Sequence, residues 1–400
     1  MRTPDTAPSP PYTPPARLAR YLSLHDFEPA AKRLLPKPIF GYVAGFVEDG
    51  QSESDNRAAF SDYALRTRIL VDVSHRTQTV SMFGHQYASP IGIAPMGISA
   101  LTAYRGDIVQ ARAAQAANVP YIMSGSSLIR LEEVVAEAPG TWFQAYLPGD
   151  ESQITALIDR VAAAGVQTLV LTVDTPVAAN RENNVRTGFS TPLRPSVALA
   201  VQGVTHPKWL LGTFLRTIVK HGMPHFENNY ATRGAPILSK AVMRDLAERG
   251  HLNWDHVARI RKRWRGPMII KGILSASDAM LARQAGMDGI VVSNHGGRQL
   301  DGAVAPLRVL PEIVDAAGDM VVMIDSGVRR GTDVIKAVAL GARCAFVGRP
   351  LNYAAALAGE AGVRHGIELL KSEILRDMGM MGIASIAELN DTYLIPRSRA

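Results

Sequence analysis

From residue 91 onward, the apolar residues of the chain alternate between two periods. Short uninterrupted runs read IGIAP (91–95), PYIMS (120–124), TWFQAYL (141–147), QTLVLTVD (167–174), PMIIKG (267–272), DGIVVSN (288–294), MVVMID (320–325) and RCAFVG (343–348). A strand buried on both faces has no polar side to show, so these runs predict parallel strands covered by helices. Between them, GDIVQARAAQAA, DESQITALIDRVAAAG and SASDAMLARQAG are amphipathic, several opening on Asp or Ser and closing on Gly as capped helices do. Eight strands, each followed by a helix, predict an α/β fold of the (β/α)8 TIM-barrel type. An open, doubly wound sheet is the competing arrangement. It would place a glycine fingerprint after its first strand, and IGIAPMGISAL is not G-x-G-x-x-G.

Strand starts fall 21 to 32 residues apart except once, where QTLVLTVD and PMIIKG are separated by 100. The fourth strand is therefore followed by a long insertion, about residues 190–250. Ahead of the barrel, LHDFEPAAKRLLPKPIFGYVAGF predicts helical lead-in elements over its lower or side face. Six prolines in the first 15 residues predict a disordered arm over residues 1–20. A single domain then spans 21–390, with a short tail over 391–400.

Composition narrows the class. At 400 residues, 47% hydrophobic and 20% charged, the chain is an ordinary globular protein. It contains no apolar run long enough to span a bilayer, and its N-terminus lacks the apolar stretch of a secretory signal. The one cysteine, Cys344, sits in an apolar run, which excludes a disulfide framework or a cysteine-based metal site and predicts an inert core thiol in a reducing cytoplasm. Of the +7 net charge, residues 190–240 contribute +5. That stretch lacks the basic–aromatic interleaving of a nucleic-acid platform, so nucleic acid is not expected as a partner.

In a barrel of this kind, strand C-termini face the active site. Ser293, Asn294 and His295 end the sixth strand, Asp174 the fourth and Lys271 the fifth, while the third carries Gln144 and Tyr146. A carboxylate, an ammonium, an imidazole and a phenol thus converge on one rim. Asp beside His is the arrangement a general base needs. Gly296 and Gly297 let the chain turn so that Arg298 returns to the same pocket, where a guanidinium suits a carboxylate. The loops after the seventh and eighth strands, DSGVRRGTD and VGRP, occupy the common phosphate position of the fold and offer Gly327, Arg329, Gly348 and Arg349.

Together SNHGGRQLDG, LTVDTP, IIKGIL, IDSGVRRGTDVIKAVALGA and VGRP make the chain similar, in collinear order over about residues 22–390, to the FMN-dependent 2-hydroxy acid oxidases and dehydrogenases. The resemblance implies FMN as cofactor and a small 2-hydroxy carboxylate as substrate. It implies His295 as the proton acceptor with Asp174 bonded to it, and Arg298, Arg181, Tyr42 and Tyr146 around the substrate. Lys271 would stand by the flavin ring. Ala94, Pro95, Met96, Gly97, Ser124, Gln144, Thr172 and Ser293 would line the ring, and Asp325, Gly327, Arg329, Gly348 and Arg349 would take the ribityl chain and phosphate. The chain departs from relatives that carry a large aromatic residue in the SGSSLIRL turn, where Ser126 leaves room.

Gly97 matches the dehydrogenases of the family, where many oxidases carry alanine, so the resemblance implies quinone or another acceptor rather than oxygen. A peroxide-producing oxidase and a relative acting on bulkier or peptide-derived substrates are the alternatives. A catalytically silent flavin-binding or membrane-docking protein would have to lack the base or the clamp, and both are present. FMN barrels of the isopentenyl diphosphate isomerase type lack the His–Arg pair. VTHPKWLLGTFLRTIVKHGMPHF places Trp209, Leu210, Leu211, Phe214, Leu215, Ile218 and Val219 at helical spacing among Lys208, Arg216 and Lys220. Such a basic amphipathic helix suits an anionic membrane surface. It resembles the membrane-binding segment of mandelate dehydrogenases, which implies peripheral attachment of residues 204–226 to the inner face of the cytoplasmic membrane. The resemblance also implies a homotetramer.

Overall fold

A computed structural model describes residues 12–239 and 249–397. Eight parallel strands form the barrel: β1 (Ile91–Ile93), β2 (Ile122–Ser124), β3 (Trp142–Ala145), β4 (Leu169–Thr172), β5 (Met268–Ile273), β6 (Gly289–Val292), β7 (Val321–Ile324) and β8 (Cys344–Val347). Each falls on one of the apolar runs, β5 ending one residue past its own, and neighbours pair in sequence order from β2 to β8, with β8 returning to β1. The remaining seam, between β1 and β2, is joined by the Ile93 N–H donating to Pro120 O at 2.9 Å. Nearly every strand residue is buried, because barrel side chains point inward and helices cover the outside. The expected caps are present. Asp150 accepts from Gln153 N–H ahead of helix Glu151–Ala163, and Ser275 accepts from Asp278 N–H ahead of Ala276–Gln284. Cys344 is fully buried, and burial pushes its thiol pKa up.

The lead-in follows expectation in part. Helix Phe27–Leu34 packs on the side of the barrel, the Phe27 ring 6.2 Å from that of His365, whereas helices Lys37–Ala44 and Gln51–Ala58 lie against the mouth. Val47 N–H donates to Gly297 O at 3.1 Å, and Asp301 accepts from Asp49 and Ser52 N–H at 3.1 and 2.9 Å. The opposite end is closed by a hairpin, Val80–Met82 paired with His85–Tyr87, whose Phe83 packs edge-on against Trp142 at the start of β3. The hairpin strands read VSM and HQY, with no uninterrupted apolar run to mark them in sequence.

The ends differ as well. Residues 1–11 of the expected arm lie outside the described residues. Residues 12–20 pack on the body, with Leu18 buried and the Tyr12 ring 6.0 Å from that of His365. In the expected tail, Leu394–Pro396 pairs antiparallel with Tyr63–Leu65.

Within the insertion, helix Val197–Thr205 precedes a second helix running from Pro207 to His221 that is π-helical over Leu210–Leu215. The helix divides the expected apolar set between two faces. Trp209 is buried, its Nε1–H donating to Leu101 O at 2.6 Å, and Phe214 stacks on it. Leu211, Leu215 and Val219 face outward beside Lys208, Arg216 and Lys220.

Candidate active site

The barrel mouth holds a cavity of about 490 Å³. Tyr42, Ala94, Pro95, Met96, Gly97, Tyr146, Thr172, Arg181, Lys271, His295, Arg298, Asp325, Gly327, Arg329, Gly348 and Arg349 line it. Asp174, Ser293, Ser124 and Gln144 are not in its wall, and each supports it from behind or below.

His295 Nδ1 lies 2.9 Å from Asp174 Oδ1. An ionised carboxylate only accepts, so Nδ1 carries the hydrogen and Nε2 presents a lone pair, with Tyr146 Oη at 3.5 Å. Burial resists ionisation of Asp174, but His295 and Lys271 more than offset it, leaving the carboxyl below its usual range. For His295 burial prevails over the attraction of Asp174 and holds the imidazole below its ordinary value, hence neutral at neutral pH. The backbone is strained at this point, since His295 adopts φ +58° ahead of Gly296 and Gly297 at +67° and +71°. A Cβ on Gly297 would meet Glu53 N at 2.6 Å, so only glycine lets the loop press against the lead-in helix.

Lys271 is 4% exposed, its Nζ 2.8 Å from Asp325 Oδ2 and donating to Ser293 Oγ at 2.6 Å. Burial works against its charge, but Asp325 and Asp174 more than compensate and raise its pKa. A register shift between Lys271 and Ile273 aims the side chain inward. Gly272 at that bulge has φ +111°, and a Cβ there would strike Asp174 Cβ at 2.6 Å. Asp325, expected near the ribityl chain, is thus also the counter-ion of Lys271.

Arg181 and Arg298 have no carboxylate partner among the described residues. Arg181 Nε donates to Arg298 O at 3.0 Å and its Nη2 to Gln299 Oε1, while the Arg298 guanidinium lies 5.1 Å from the Tyr42 ring centroid. Burial and the neighbouring Arg181 pull Arg298 down to about 9. Two adjacent half-buried cations without an acid among the described residues make a site for an anion.

The residues present fit FMN. Gln144 Oε1 accepts from Ser124 Oγ and Gly125 N–H, which leaves Gln144 Nε2 buried and unpartnered, as is Thr172 Oγ1. Two unsatisfied polar atoms at the ends of β3 and β4 suit the polar edge of a flavin. At the β7 and β8 loops, buried Arg329 has no acid partner among the described residues, and burial and Arg57 lower it to about 10. It stands with Gly327 and with Gly348, which opens helix Arg349–Met381, in a corner suited to phosphate. The Arg349 guanidinium donates through Nε and Nη2 to Val43 O, Gly45 O and Gly296 O at 3.2, 2.9 and 2.8 Å, tying lead-in to loop, while its Nη1, 3.8 Å from Glu53 Oε1, makes none of these bonds.

Three further residues were not singled out from sequence. Asn56 and Asn294 exchange side-chain hydrogen bonds of 2.9 and 2.7 Å across 238 residues of chain, fixing the loop that carries His295. Arg249 also lines the cavity, its guanidinium 4.6 Å from the Tyr146 ring centroid. No motif surrounds it.

The protein-family model for FMN-dependent dehydrogenases matches residues 31–396. The L-lactate dehydrogenase of Chromohalobacter salexigens is 40% identical over 381 residues, 94% of this chain and 95% of that one. The L-lactate dehydrogenase of Caulobacter vibrioides is 39% identical over 384 residues, 94% and 98% respectively. Among solved structures, the monotopic membrane protein (S)-mandelate dehydrogenase superposes with a TM-score of 0.85 at 33% identity, covering 94% of this chain and 99% of the other. A mandelate oxidase with (S)-2-phenylpropionate gives 0.77 at 35% identity, covering 94% and 98%.

Proposed function

The chain belongs to the FMN-dependent dehydrogenase family, and from that premise we propose that it oxidises an L-2-hydroxy acid of the lactate or mandelate kind to the 2-oxo acid, passing two electrons on to quinone or another acceptor. One observation carries the reading. A neutral imidazole with its lone pair facing the cavity stands beside two arginines that lack an acid.

Bound FMN supplies the two-electron acceptor. Arg298 and Arg181 hold the substrate carboxylate, and Tyr42 closes that end. Tyr146 and His295 share the hydroxyl end, where His295 Nε2 takes one proton as Cα is oxidised. Asp174 keeps Nδ1 protonated and stabilises the imidazolium that results. Lys271 places a fixed positive charge at the end of β5. Gln144, Thr172, Ser124 and the Ala94–Gly97 turn would hold the ring, and Gly327, Arg329, Gly348 and Arg349 the phosphate. The test is anaerobic titration of the purified holoenzyme with L- and D-lactate and with (S)- and (R)-mandelate. Bleaching of the FMN absorbance by an L-acid and not by its enantiomer supports the proposal, and a flavin untouched by all four overturns it.

The acid limb of the pH profile follows from the sign of the His295 shift. Its pKa lies below the ordinary 6.5, so the base is lost only as pH falls through that lower value. The rate of flavin reduction at low substrate should be flat around neutrality and decline below pH 6.5. A decline already beginning above pH 7.5, roughly one unit over the ordinary histidine value, contradicts the assignment.

Acceptor and location belong to the same proposal. A Cβ at Gly97 would lie 3.0 Å from Tyr42 Oη and 3.1 Å from Ser126 Cβ, so glycine keeps this part of the mouth open. Peroxide released in air at the rate of turnover with an artificial acceptor would overturn a non-oxygen acceptor. No helix among the described residues is long and apolar enough to cross a membrane. The outward row of Val197, Val204, Leu211 and Val219, exposed by 82, 70, 63 and 83%, lies beside Lys208, Arg216 and Lys220. This supports docking on the anionic inner face of the cytoplasmic membrane, at roughly 1 kcal/mol per nearby cation. The protein should sediment with anionic liposomes at low salt, and a variant lacking residues 204–226 should not. Equal sedimentation of the two removes the segment from that role. A homotetramer, by resemblance, is the assembly expected, and the mass of the holoenzyme in solution tests it.

A further inference from the structure

Arg249 is a cation of the cavity that the roles above leave unused. It is 8% exposed. Nη1 donates to Thr175 Oγ1 at 3.3 Å, the guanidinium lies over the Tyr146 ring, and Nε is buried with no hydrogen-bond partner. A guanidinium carries five N–H donors and stays charged, so one weak bond and an aromatic face leave it largely unsatisfied. No carboxylate pairs with it among the described residues.

Its ring partner sets it apart from the arginine pair. The Arg298 guanidinium lies over the Tyr42 ring at 5.1 Å and that of Arg249 over the Tyr146 ring at 4.6 Å, and all four residues line the same cavity. The cavity that Arg249 lines also has the small residues Thr175, its hydrogen-bond partner, and Ala178, Ala179 and Ser126 in its wall, so it has room for a chain of a few atoms. A substrate held by its carboxylate at Arg298 and by its hydroxyl at Tyr146 and His295 must send its side chain into the remaining space. An apolar side chain there would dehydrate a buried charge and give nothing back, whereas a carboxylate would satisfy it with two parallel hydrogen bonds.

We propose that Arg249 is a specificity residue that binds an anionic group on the substrate side chain, so that the preferred substrate is an L-2-hydroxy acid bearing a second carboxylate. The inference rests on reading this cavity as the 2-hydroxy acid site, and it names the substrate class within that reading.

The experiment uses the holoenzyme and its Arg249→Met and Arg249→Lys variants, each checked for bound FMN. Anaerobic flavin reduction is followed with L-malate and L-2-hydroxyglutarate against L-lactate and L-2-hydroxybutyrate. The wild type should favour the dicarboxylates in kcat/KM. Arg249→Met should lower the dicarboxylate-to-monocarboxylate ratio about 100-fold, and Arg249→Lys about tenfold because the bidentate contact is lost. In the same variants the Kd of 2-oxoglutarate, read without turnover from perturbation of the flavin spectrum, should rise in parallel. If Arg249→Met does not retain FMN, the Arg249→Lys ratio decides. Equal use of mono- and dicarboxylates by the wild type, or an unchanged ratio in the variants, overturns the proposal and leaves Arg249 as a support for Tyr146. If monocarboxylates bleach the flavin while this happens, the reading of the site survives. If neither class bleaches it, both fall.

Discussion

Exchange of His295 for glutamine should leave FMN bound while slowing its anaerobic reduction by an L-2-hydroxy acid about 10²–10⁴-fold, the usual contribution of a positioned general base. Glutamine matches the size of histidine and still presents a donor to Asp174 Oδ1, now 2.9 Å from the imidazole. It has no lone pair of comparable basicity, however, and so no means of taking the proton. Tyr146 cannot substitute, because burial raises its pKa and keeps it a donor. The residues expected around FMN are untouched, so the flavin content of the variant should equal that of the wild type. Stopped-flow measurement of the flavin absorbance separates the outcomes. A near-native reduction rate would remove His295 from the role of base, whereas loss of FMN would mean that the strained 295–297 turn is needed chiefly for the cofactor.

Most of the site was legible because the fold writes it at strand ends. Strands buried on both faces give apolar runs, and the polar residue that ends each run is the one that faces the mouth. His295, Lys271 and Asp174 follow from that rule, while Thr172 came with the family resemblance. What escaped depends on partners distant in sequence. The Asn56–Asn294 pair spans 238 residues and neither asparagine looks unusual where it stands. Arg349 follows glycine at a helix start, the position of a phosphate ligand, and its added bonds to three backbone carbonyls of distant segments leave no trace around it in sequence. Arg249 sits in a stretch with no strand period and no glycine turn, so only the closing of the insertion over the mouth brings it to Tyr146. The 207–221 helix shows the same limit in another form. Its run of apolar residues joined Trp209 and Leu211 in one set, but two residues apart they stand about 200° round a helix, so the first turns to the core and the second to the surface.

Lys271→Met should be the most damaging single exchange at the site, acting on stability and reaction together. The ammonium and the Asp325 carboxylate are 4% and 9% exposed and 2.8 Å apart. Methionine fills the volume of the lysine stem but leaves Asp325 ionised and buried without its partner, which costs about 3–5 kcal/mol. Asp174 loses a neighbouring cation as well, so its carboxyl should rise toward its ordinary value and hold the imidazolium less firmly. Thermal unfolding of the variant should therefore begin at a clearly lower temperature, and flavin reduction should be slowed. The two effects separate in the double variant Lys271→Met with Asp325→Asn, in which no carboxylate is stranded at position 325. Replacing both members of a buried pair is often close to neutral for folding, so the unfolding temperature should return most of the way to that of the wild type. Reduction should not return, because the fixed positive charge at the end of β5 is still missing. Recovery of both properties in the double variant would mean that Lys271 serves only to neutralise Asp325. Recovery of stability alone would show that its charge acts on the reaction.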